Sequence, residues 1–219
     1  MNLTNILGID EAGRGPVLGP LVICGYLIDE KNMPALKKTG VKDSKLLTRE
    51  QRKKMLPGLK KIASGVRIIQ VPASEIDSSD NLNKLEIRKM QEIINSMQAE
   101  RVYIDAPERN TKKFAGKIRH GLVSKGVEIT AENFADRKYP EVSAASVIAK
   151  VTRDAEIKKL HRVYGNFGSG YTSDERTTGF LKDWIKMNKE FPKIVRKRWI
   201  TAEEILREKQ QKNLHLFAE

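Results

Sequence analysis

The sequence has little of the residue types from which disulfides and transition-metal sites are built. Its 219 residues include one cysteine, Cys24, and three histidines, none at the spacing of a metal-ligand pair. A lone cysteine excludes an internal disulfide and a CxxC metal site. The chain also lacks an apolar run of about 18 residues, so we expect no membrane-spanning helix. Because the N-terminus has no basic region followed by a long apolar core, we expect a cytoplasmic protein.

Negative charge is also in short supply. The chain has 28 Asp and Glu against 41 Lys and Arg, a net charge of +13. Such an excess favours a polyanionic partner, most often nucleic acid. A surface that is basic only for solubility, or rich in ion pairs suited to heat, stays open as the alternative. Part of the excess is concentrated, since residues 182–198 hold seven basic and two acidic residues.

Apolar runs alternate with helical periodicities along the chain, which predicts an α/β fold. Five runs are typical of buried strands: residues 5–10, 21–28, 66–71, 102–105 and 127–130. Apolar residues at helical spacing predict a helix between 82 and 97, and Pro140 is suited to the first turn of another that continues to about Tyr164.

Helix boundaries are predicted from capping residues. Thr48 with Gln51, and Thr201 with Glu204, have the spacing of capping boxes and should each begin a helix. Pro57, followed by Gly58, is predicted to interrupt or split the helix that begins after Thr48. We expect the final residues to form a tail that is not part of the core.

Four acidic residues at the ends of apolar runs are the most informative feature. They are Asp10 and Glu11 in IleLeuGlyIleAspGlu, Asp105 in ArgValTyrIleAsp, and Asp136 in AsnPheAlaAspArg. Carboxylates are costly to desolvate, so a group of them at a sheet edge needs cations, and their oxygens suit Mg²⁺ or Mn²⁺. Two metals about 4 Å apart can activate water and stabilise the leaving oxygen in phosphodiester hydrolysis. Singly, each acid could instead be a cap or turn residue.

The adjacent pair Asp10 and Glu11 poses a geometric problem. Successive residues of a regular strand point to opposite faces, so both can reach one metal only if the strand ends or bulges there. We predict such an irregularity. Asp105 can lie beside Asp10 if their strands pair, and Asp136 would approach from just before the helix that starts near Pro140.

Candidate substrate contacts surround these acids in the sequence. The segment Gly13-Arg14-Gly15 offers backbone N–H groups without a Cβ in the way, and Tyr171 could stack on a sugar or base. Phosphate contacts are predicted for Lys42, Ser44, Lys45, Lys150 and Arg153. The alternatives are an ordinary turn, a packed loop aromatic and solvated charges.

Five sequence blocks, in this order, resemble ribonuclease HII, and most closely its archaeal form. They are AspGluAlaGlyArgGlyProValLeuGlyPro at 10–20, LysAspSerLys at 42–45, TyrIleAsp at 103–105, the segment 138–154, and GlySerGlyTyr at 168–171. The resemblance runs from about residue 5 to residue 200. It implies a ribonuclease H-like mixed sheet flanked by helices, with a catalytic core at 1–165 and a helical substrate-binding region at 166–210.

The resemblance also implies an activity. It is hydrolysis of RNA in RNA–DNA hybrids and incision 5′ of ribonucleotides embedded in duplex DNA, by a two-metal mechanism that leaves a 3′-OH and a 5′-phosphate. The four metal-binding acids of the family match Asp10, Glu11, Asp105 and Asp136. Its segment that senses the ribose 2′-OH matches Gly13 to Gly15. Because the motif starts at residue 10, we do not expect the sibling enzyme with a large N-terminal binding domain.

The tyrosine with which the family reads the junction matches Tyr171, although Thr172 stands where proline is more usual. Two alternatives to the ribonuclease stay open. One is a junction resolvase of the same superfold, which would share the acidic rim but lack a 2′-OH sensor. The other is a basic nucleic-acid-binding module whose acids are structural. Nothing in the sequence indicates an obligate dimer, so a monomer is expected.

The tail at 211–219 carries a separate motif. Gln211, Leu214 and Phe217 have the spacing Gln-x-x-aliphatic-x-x-aromatic, which resembles the peptide that docks on the replication sliding clamp, proliferating cell nuclear antigen. One helical turn would place Leu214 and Phe217 on one side as an apolar plug. The alternative is that both pack back on the enzyme's own surface or that the tail frays. Ala218 stands where a second aromatic is common.

Overall fold

The computed structural model describes residues 4–41 and 47–216, the last five of these by their backbone alone. Its strands are β1 (Asn5–Ala12), β2 (Leu21–Asp29), β3 (Gly65–Val71), β4 (Arg101–Asp105) and β5 (Glu128–Glu132). Its α-helices are α1 (Met33–Lys38), α2 (Arg49–Ile62), α3 (Ala73–Ser78), α4 (Leu82–Ser96), α5 (Thr111–His120), α6 (Pro140–Tyr164), α7 (Glu175–Met187) and α8 (Ile200–Leu216). This confirms the predicted mixed sheet flanked by helices. No helix in the described part of the chain is long and apolar enough to cross a membrane.

The sheet brings the ends of two acidic strands together. Its strand order is β3-β2-β1-β4-β5, with β1 antiparallel to β2 and parallel to β4. The register pairs Ile9 of β1 with Ile104 of β4. Because parallel strands end at the same edge, Asp10 and Asp105 follow these partners side by side, and the predicted pairing of their strands is confirmed.

The predicted irregularity after Asp10 is wrong. β1 continues through Glu11 to Ala12, and its residues pair one to one with β2 up to Ala12 opposite Val22. The physical reason is that β2 extends past the end of β4 and keeps satisfying the backbone of β1 there. In a regular strand Glu11 points to the face opposite Asp10.

Two helix boundaries also differ from expectation. The capping box of Thr48 and Gln51 is confirmed, but Pro57 lies inside α2 and does not split it. Beyond the proline, Leu59 is buried in the core and its carbonyl accepts a hydrogen bond from the Tyr26 hydroxyl at 2.9 Å. This tertiary packing stabilises the last turn although proline removes one hydrogen bond from the helix.

The second boundary is the start of α8. The Trp199 carbonyl accepts from the N–H groups of Ala202 (2.8 Å) and Glu203 (3.0 Å). The helix therefore begins before Thr201, and the predicted cap at Thr201 is wrong. α8 extends through Gln211 to Leu216, so the backbone of the expected tail is helical up to that residue.

The chain divides into two compact units. The sheet unit comprises the described residues of 1–12, 22–70 and 81–152, and the helical unit those of 13–21, 71–80 and 153–219. The sheet unit has a core in which α6 packs on the sheet, and the helical unit has its own core around Leu18, Phe167 and Leu181. The assignment of separate roles to 1–165, 166–210 and 211–219 stays a prediction.

Candidate active site

Three carboxylates converge at the carboxyl edge of β1 and β4. Asp10, Asp105 and Asp136 each place an oxygen within 4.8 Å of the other two. Asp10 is 5% exposed and Asp136 is 2% exposed, whereas Asp105 is half-buried. Of the predicted set, Glu11 is not in this group. Its role as a fourth ligand stays a prediction.

The backbone around Asp136 is held in place by Asp105. A carboxylate oxygen of Asp105 accepts the N–H of Ala135 at 2.9 Å, at the start of the 3₁₀ turn Ala135–Arg137 that contains Asp136. The preceding Phe134 has φ +59°, in the left-handed region that bulky side chains avoid. Asp105 thus both faces the cluster and fixes the turn that presents its third acid.

Helix α6 supplies a polar neighbour to Asp10. A Cβ at Gly8 would overlap the backbone of Glu141 and Val142, so glycine lets the first turn of α6 lie directly against β1. Ser146, one turn further along, is fully buried, and its side chain lowers the pKa of the Asp10 carboxyl. Lys150 donates to the Ser146 hydroxyl at 2.7 Å.

The electrostatics of the cluster are unfavourable for a bare carboxylate. Burial, followed by the negative charge of Asp105, raises the pKa of Asp10 to about 7. The Ser146 hydrogen bond, the charge of Lys150 and the N–H of Glu11 lower the pKa of Asp10 and only partly offset this rise. A cation among the three acids would remove the repulsion that keeps a proton on Asp10.

The donor set fits a hard divalent cation. All three side chains offer carboxylate oxygens, and the group includes no cysteine or histidine. Oxygen-only sites of this kind suit Mg²⁺ and Mn²⁺ and do not resemble the nitrogen and sulfur sites of zinc. The residues that would hold such an ion are Asp10, Asp105 and Asp136.

The glycine-arginine-glycine segment lies in the helical unit and is packed against Arg153. Gly13 has φ +84°, and a Cβ there would overlap the Arg153 side chain. Arg153 is 5% exposed and donates to the carbonyls of Leu18 and Ser169, both at 3.3 Å. This placement favours support of the surrounding loops over the phosphate contact that the sequence predicts.

Tyr171 lies on a loop of the helical unit that is well held. Tyr171 is 41% exposed, and the Arg153 guanidinium lies 5.2 Å from its ring centroid. Asp174 accepts the Ser169 N–H at 2.8 Å, and the Thr177 hydroxyl accepts the Gly170 N–H at 3.1 Å. These bonds hold the loop with threonine, not proline, at position 172.

Some residues of the site were missed by sequence reasoning, and others lie outside the described part of the chain. The sequence pattern places Ser146 only within a helix and Arg196 only within the basic stretch 182–198, whereas both side chains are fully buried. The apolar pair Ile194-Val195 before Arg196 was the available signal of a buried segment. The predicted phosphate contacts Lys42, Ser44 and Lys45 are outside the described residues, as are Phe217 and the side chain of Leu214.

Comparisons with known proteins agree with the resemblance found in the sequence. The family model described as Ribonuclease HII matches residues 7–202. Ribonuclease HII of Pyrococcus furiosus is 46% identical over 201 residues, which cover 90% of this chain and 89% of that protein.

Solved structures are similar over nearly the whole chain. Ribonuclease H2 from Pyrococcus horikoshii has a TM-score of 0.89 at 46% identity and covers 94% of this chain and 98% of its own. The PCNA:RNase HII complex from Archaeoglobus fulgidus contains a chain with a TM-score of 0.83 at 37% identity, covering 91% of this chain and 96% of its own. With this family match and the carboxylate cluster at the sheet edge, the chain belongs to the ribonuclease HII family of nucleases.

Proposed function

We propose that the protein is a divalent-metal-dependent endoribonuclease that hydrolyses RNA in RNA–DNA hybrids and incises duplex DNA 5′ of an embedded ribonucleotide, leaving a 3′-OH and a 5′-phosphate. The observation that carries the proposal is the convergence of three buried or half-buried carboxylates within 4.8 Å in a chain of the ribonuclease HII family. The net charge of +13 supports a polyanionic substrate.

In this proposal Asp10, Asp105 and Asp136 hold Mg²⁺ or Mn²⁺, two ions at once. Glu11 would join them as a fourth ligand only if the end of β1, which pairs regularly with β2 here, bends when the ions bind. A bound divalent cation neutralises phosphate oxygens and lowers the pKa of a bound water. The chain's own part is to hold the ligands, since Ser146 and Lys150 favour the charged form of Asp10 and Asp105 fixes the turn of Asp136.

Substrate recognition is proposed for the helical unit and for several basic side chains. The backbone of Gly13, Arg14 and Gly15 would read the ribose 2′-OH, and the half-exposed ring of Tyr171 would pack on the deoxyribose after the ribonucleotide. Phosphate contacts are proposed for Lys42, Ser44, Lys45 and Lys150, while Arg153 supports the Tyr171 ring from below. We further propose that the enzyme acts as a monomer in the cytoplasm.

The test is cleavage of one duplex sequence made with and without a single embedded ribonucleotide, each assayed with Mg²⁺ and with a chelator. We expect one incision, 5′ of the ribonucleotide, only when the duplex contains the ribonucleotide and Mg²⁺ is present. End analysis should find a 3′-OH and a 5′-phosphate. A junction resolvase would ignore the ribonucleotide. A binding module would retain the duplex without cutting it, and either result would refute the proposal.

We also propose that the C-terminal segment binds the replication sliding clamp. Gln211 is exposed near the end of α8, and Leu214 and Phe217 follow it at the spacing of a clamp-binding peptide. The support is the PCNA:RNase HII complex from Archaeoglobus fulgidus, whose matching chain is 37% identical to this one.

A further inference from the structure

Arg196 is fully buried, and its guanidinium donates hydrogen bonds to backbone carbonyls of the loop at 13–19. Its Nη2 donates to the carbonyl of Gly13 at 2.5 Å and its Nη1 to that of Arg14 at 2.7 Å. The same side chain reaches the Gly19 carbonyl from Nη2 at 3.1 Å and from Nε at 3.3 Å. Guanidinium donors lie in one rigid plane, so these bonds fix the two ends of the loop relative to each other.

Trp199 adds a fourth carbonyl, that of Gly15, to this set. Its ring lies 4.8 Å from the Arg196 guanidinium carbon, and its Nε1 donates to the Gly15 carbonyl at 3.0 Å. The backbone supports the arrangement, since the Arg196 N–H donates to the Val17 carbonyl at 2.9 Å. The carbonyls of three successive residues are thus all bonded to the short segment 196–199.

Peptide geometry gives this arrangement a consequence. In a planar trans peptide the carbonyl oxygen and the N–H of the next residue point in opposite directions. Fixing the Gly13 carbonyl therefore fixes the direction of the Arg14 N–H, and fixing the Arg14 carbonyl fixes that of the Gly15 N–H. Both N–H groups therefore point away from Arg196. Gly15 also lies close to Tyr171, whose ring edge is 3.9 Å from the position that a Gly15 Cβ would take.

We infer that Arg196, assisted by Trp199, is a positioning residue that aims the N–H groups of Arg14 and Gly15 at the ribose 2′-OH. This inference rests on the proposed function, in which the segment 13–15 reads that hydroxyl. Arg196 touches neither substrate nor metal in this scheme. It acts by restricting the loop, so that selectivity for a ribonucleotide needs no reorganisation on binding.

The test compares binding of two duplexes, identical except for one embedded ribonucleotide, in a cleavage-deficient Asp136→Asn background with Mg²⁺. The measured quantity is the ratio of the two dissociation constants. A partly unfolded sample weakens both duplexes equally, so this ratio does not change when a substitution only destabilises the protein. The variants are Arg196→Lys, which keeps the charge but not the planar fork, and Trp199→Phe, which keeps the ring but not its N–H.

The chain offers a matched control in Trp184→Phe. Trp184 is half-buried in the same unit, and its Nε1 donates to the Glu190 carbonyl at 3.0 Å. Trp184→Phe therefore removes an indole hydrogen bond of the same kind, but one that does not involve the loop at 13–19. We expect the preference for the ribonucleotide to fall about tenfold in Arg196→Lys and about threefold in Trp199→Phe, the effects of one charged and one neutral hydrogen bond. The Trp184 control should keep the parent ratio.

Two results would overturn the inference. One is that Trp199→Phe and folded Arg196→Lys both keep the parent's ratio of the two dissociation constants. If Arg196→Lys does not fold, the ratio measured for Trp199→Phe decides alone. The other is an equal fall in the Trp184 control. A failure of the proposed function looks different, because the parent itself would then show no preference for the ribonucleotide.

Discussion

The Arg153 guanidinium lies 5.2 Å from the centroid of the Tyr171 ring, and both belong to the helical unit. Arg153 is 5% exposed while Tyr171 is 41% exposed, so the buried cation supports one face of the ring and leaves part of it open to solvent. An aromatic ring held in this way has lost conformational freedom before it meets a substrate. This supports a role for Tyr171 in contact with the substrate.

Tyr171→Ala should lose more activity on a single embedded ribonucleotide than on a long RNA–DNA hybrid. The ring is proposed to read the junction to deoxyribose, which only the first substrate requires. Tyr171→Phe keeps the ring and serves as the control, with both activities near those of the parent. The comparison is of kcat/KM on the two substrates, and equal losses on both would mean that Tyr171 only packs its loop.

Asp136→Asn should abolish cleavage while leaving hybrid binding largely intact. Removing one charged ligand disturbs metal placement, whereas binding depends mostly on Lys and Arg contacts to phosphates. Single-turnover cleavage and a binding titration separate the two effects. Asp183→Asn removes a carboxylate that is 69% exposed on α7 and should leave both unchanged. Near-parental turnover of Asp136→Asn at saturating Mg²⁺ would contradict the metal-site assignment.

The stability of the metal-free protein should fall as the pH rises from about 4 to about 7. Burial and the charge of Asp105 raise the pKa of Asp10 from 3.8 to about 7. Over this window the folded protein binds a proton that the unfolded chain has released, so the unfolding free energy decreases with pH. The stabilisation is complete below the unfolded pKa and is lost as the pH rises through the folded one.

Asp10→Asn removes this proton linkage. In denaturant titrations with a chelator, we expect the variant to be more stable than the parent at pH 8 and less dependent on pH between about 4 and 7. Mg²⁺ should stabilise the parent but not the variant, because the cation replaces the proton among the acids. Asp183→Asn again provides the control. An unchanged pH dependence in Asp10→Asn would show that Asp10 is not the group that titrates.

Phe134→Asn should stabilise the fold. Phe134 has φ +59° and is 61% exposed, so it bears the cost of a left-handed conformation without the gain of burial. That cost is about 1–2 kcal/mol for most side chains and smaller for asparagine. In a chain of this size, relief of about 1 kcal/mol raises the melting temperature by about 2–4 °C. Phe134→Ala loses the same ring but keeps the strain, and if it matches Phe134→Asn in melting temperature, strain is not the cause.

Deleting residues 211–219 should leave nuclease activity on short duplexes unchanged and abolish binding to the sliding clamp. Ala202 and Ile205, which are buried in the described part of α8, remain in the truncated chain. A full-length variant with Leu214→Ala and Phe217→Ala separates loss of the apolar plug from loss of chain length, and it should bind no better than the truncation. Calorimetry that finds equal clamp affinity for the full-length protein and the truncation, or no binding by either, would refute the proposed partner.

Much of the architecture could be predicted from local sequence signals. Runs of apolar residues identified the strands, and Thr48 with Gln51 identified the start of α2, because both signals act within a few residues. The failures have non-local causes. Pro57 is tolerated since Leu59 packs in the core and Tyr26 bonds its carbonyl, and β1 runs on past Asp10 since β2 continues beside it.

By itself the sequence determined the family, the fold class and the identity of the candidate acids, because these follow from residue types at fixed spacings. Only the tertiary structure decided which acids meet, since strand register brings Asp10 beside Asp105 and the turn Ala135–Arg137 brings Asp136 within 4.8 Å of both. It also decided the place of Arg196. In the sequence Arg196 is one of several basic residues in a row, a pattern typical of solvated charges. Its burial depends on carbonyls of Gly13 and Gly19, which lie 183 and 177 residues away in the chain.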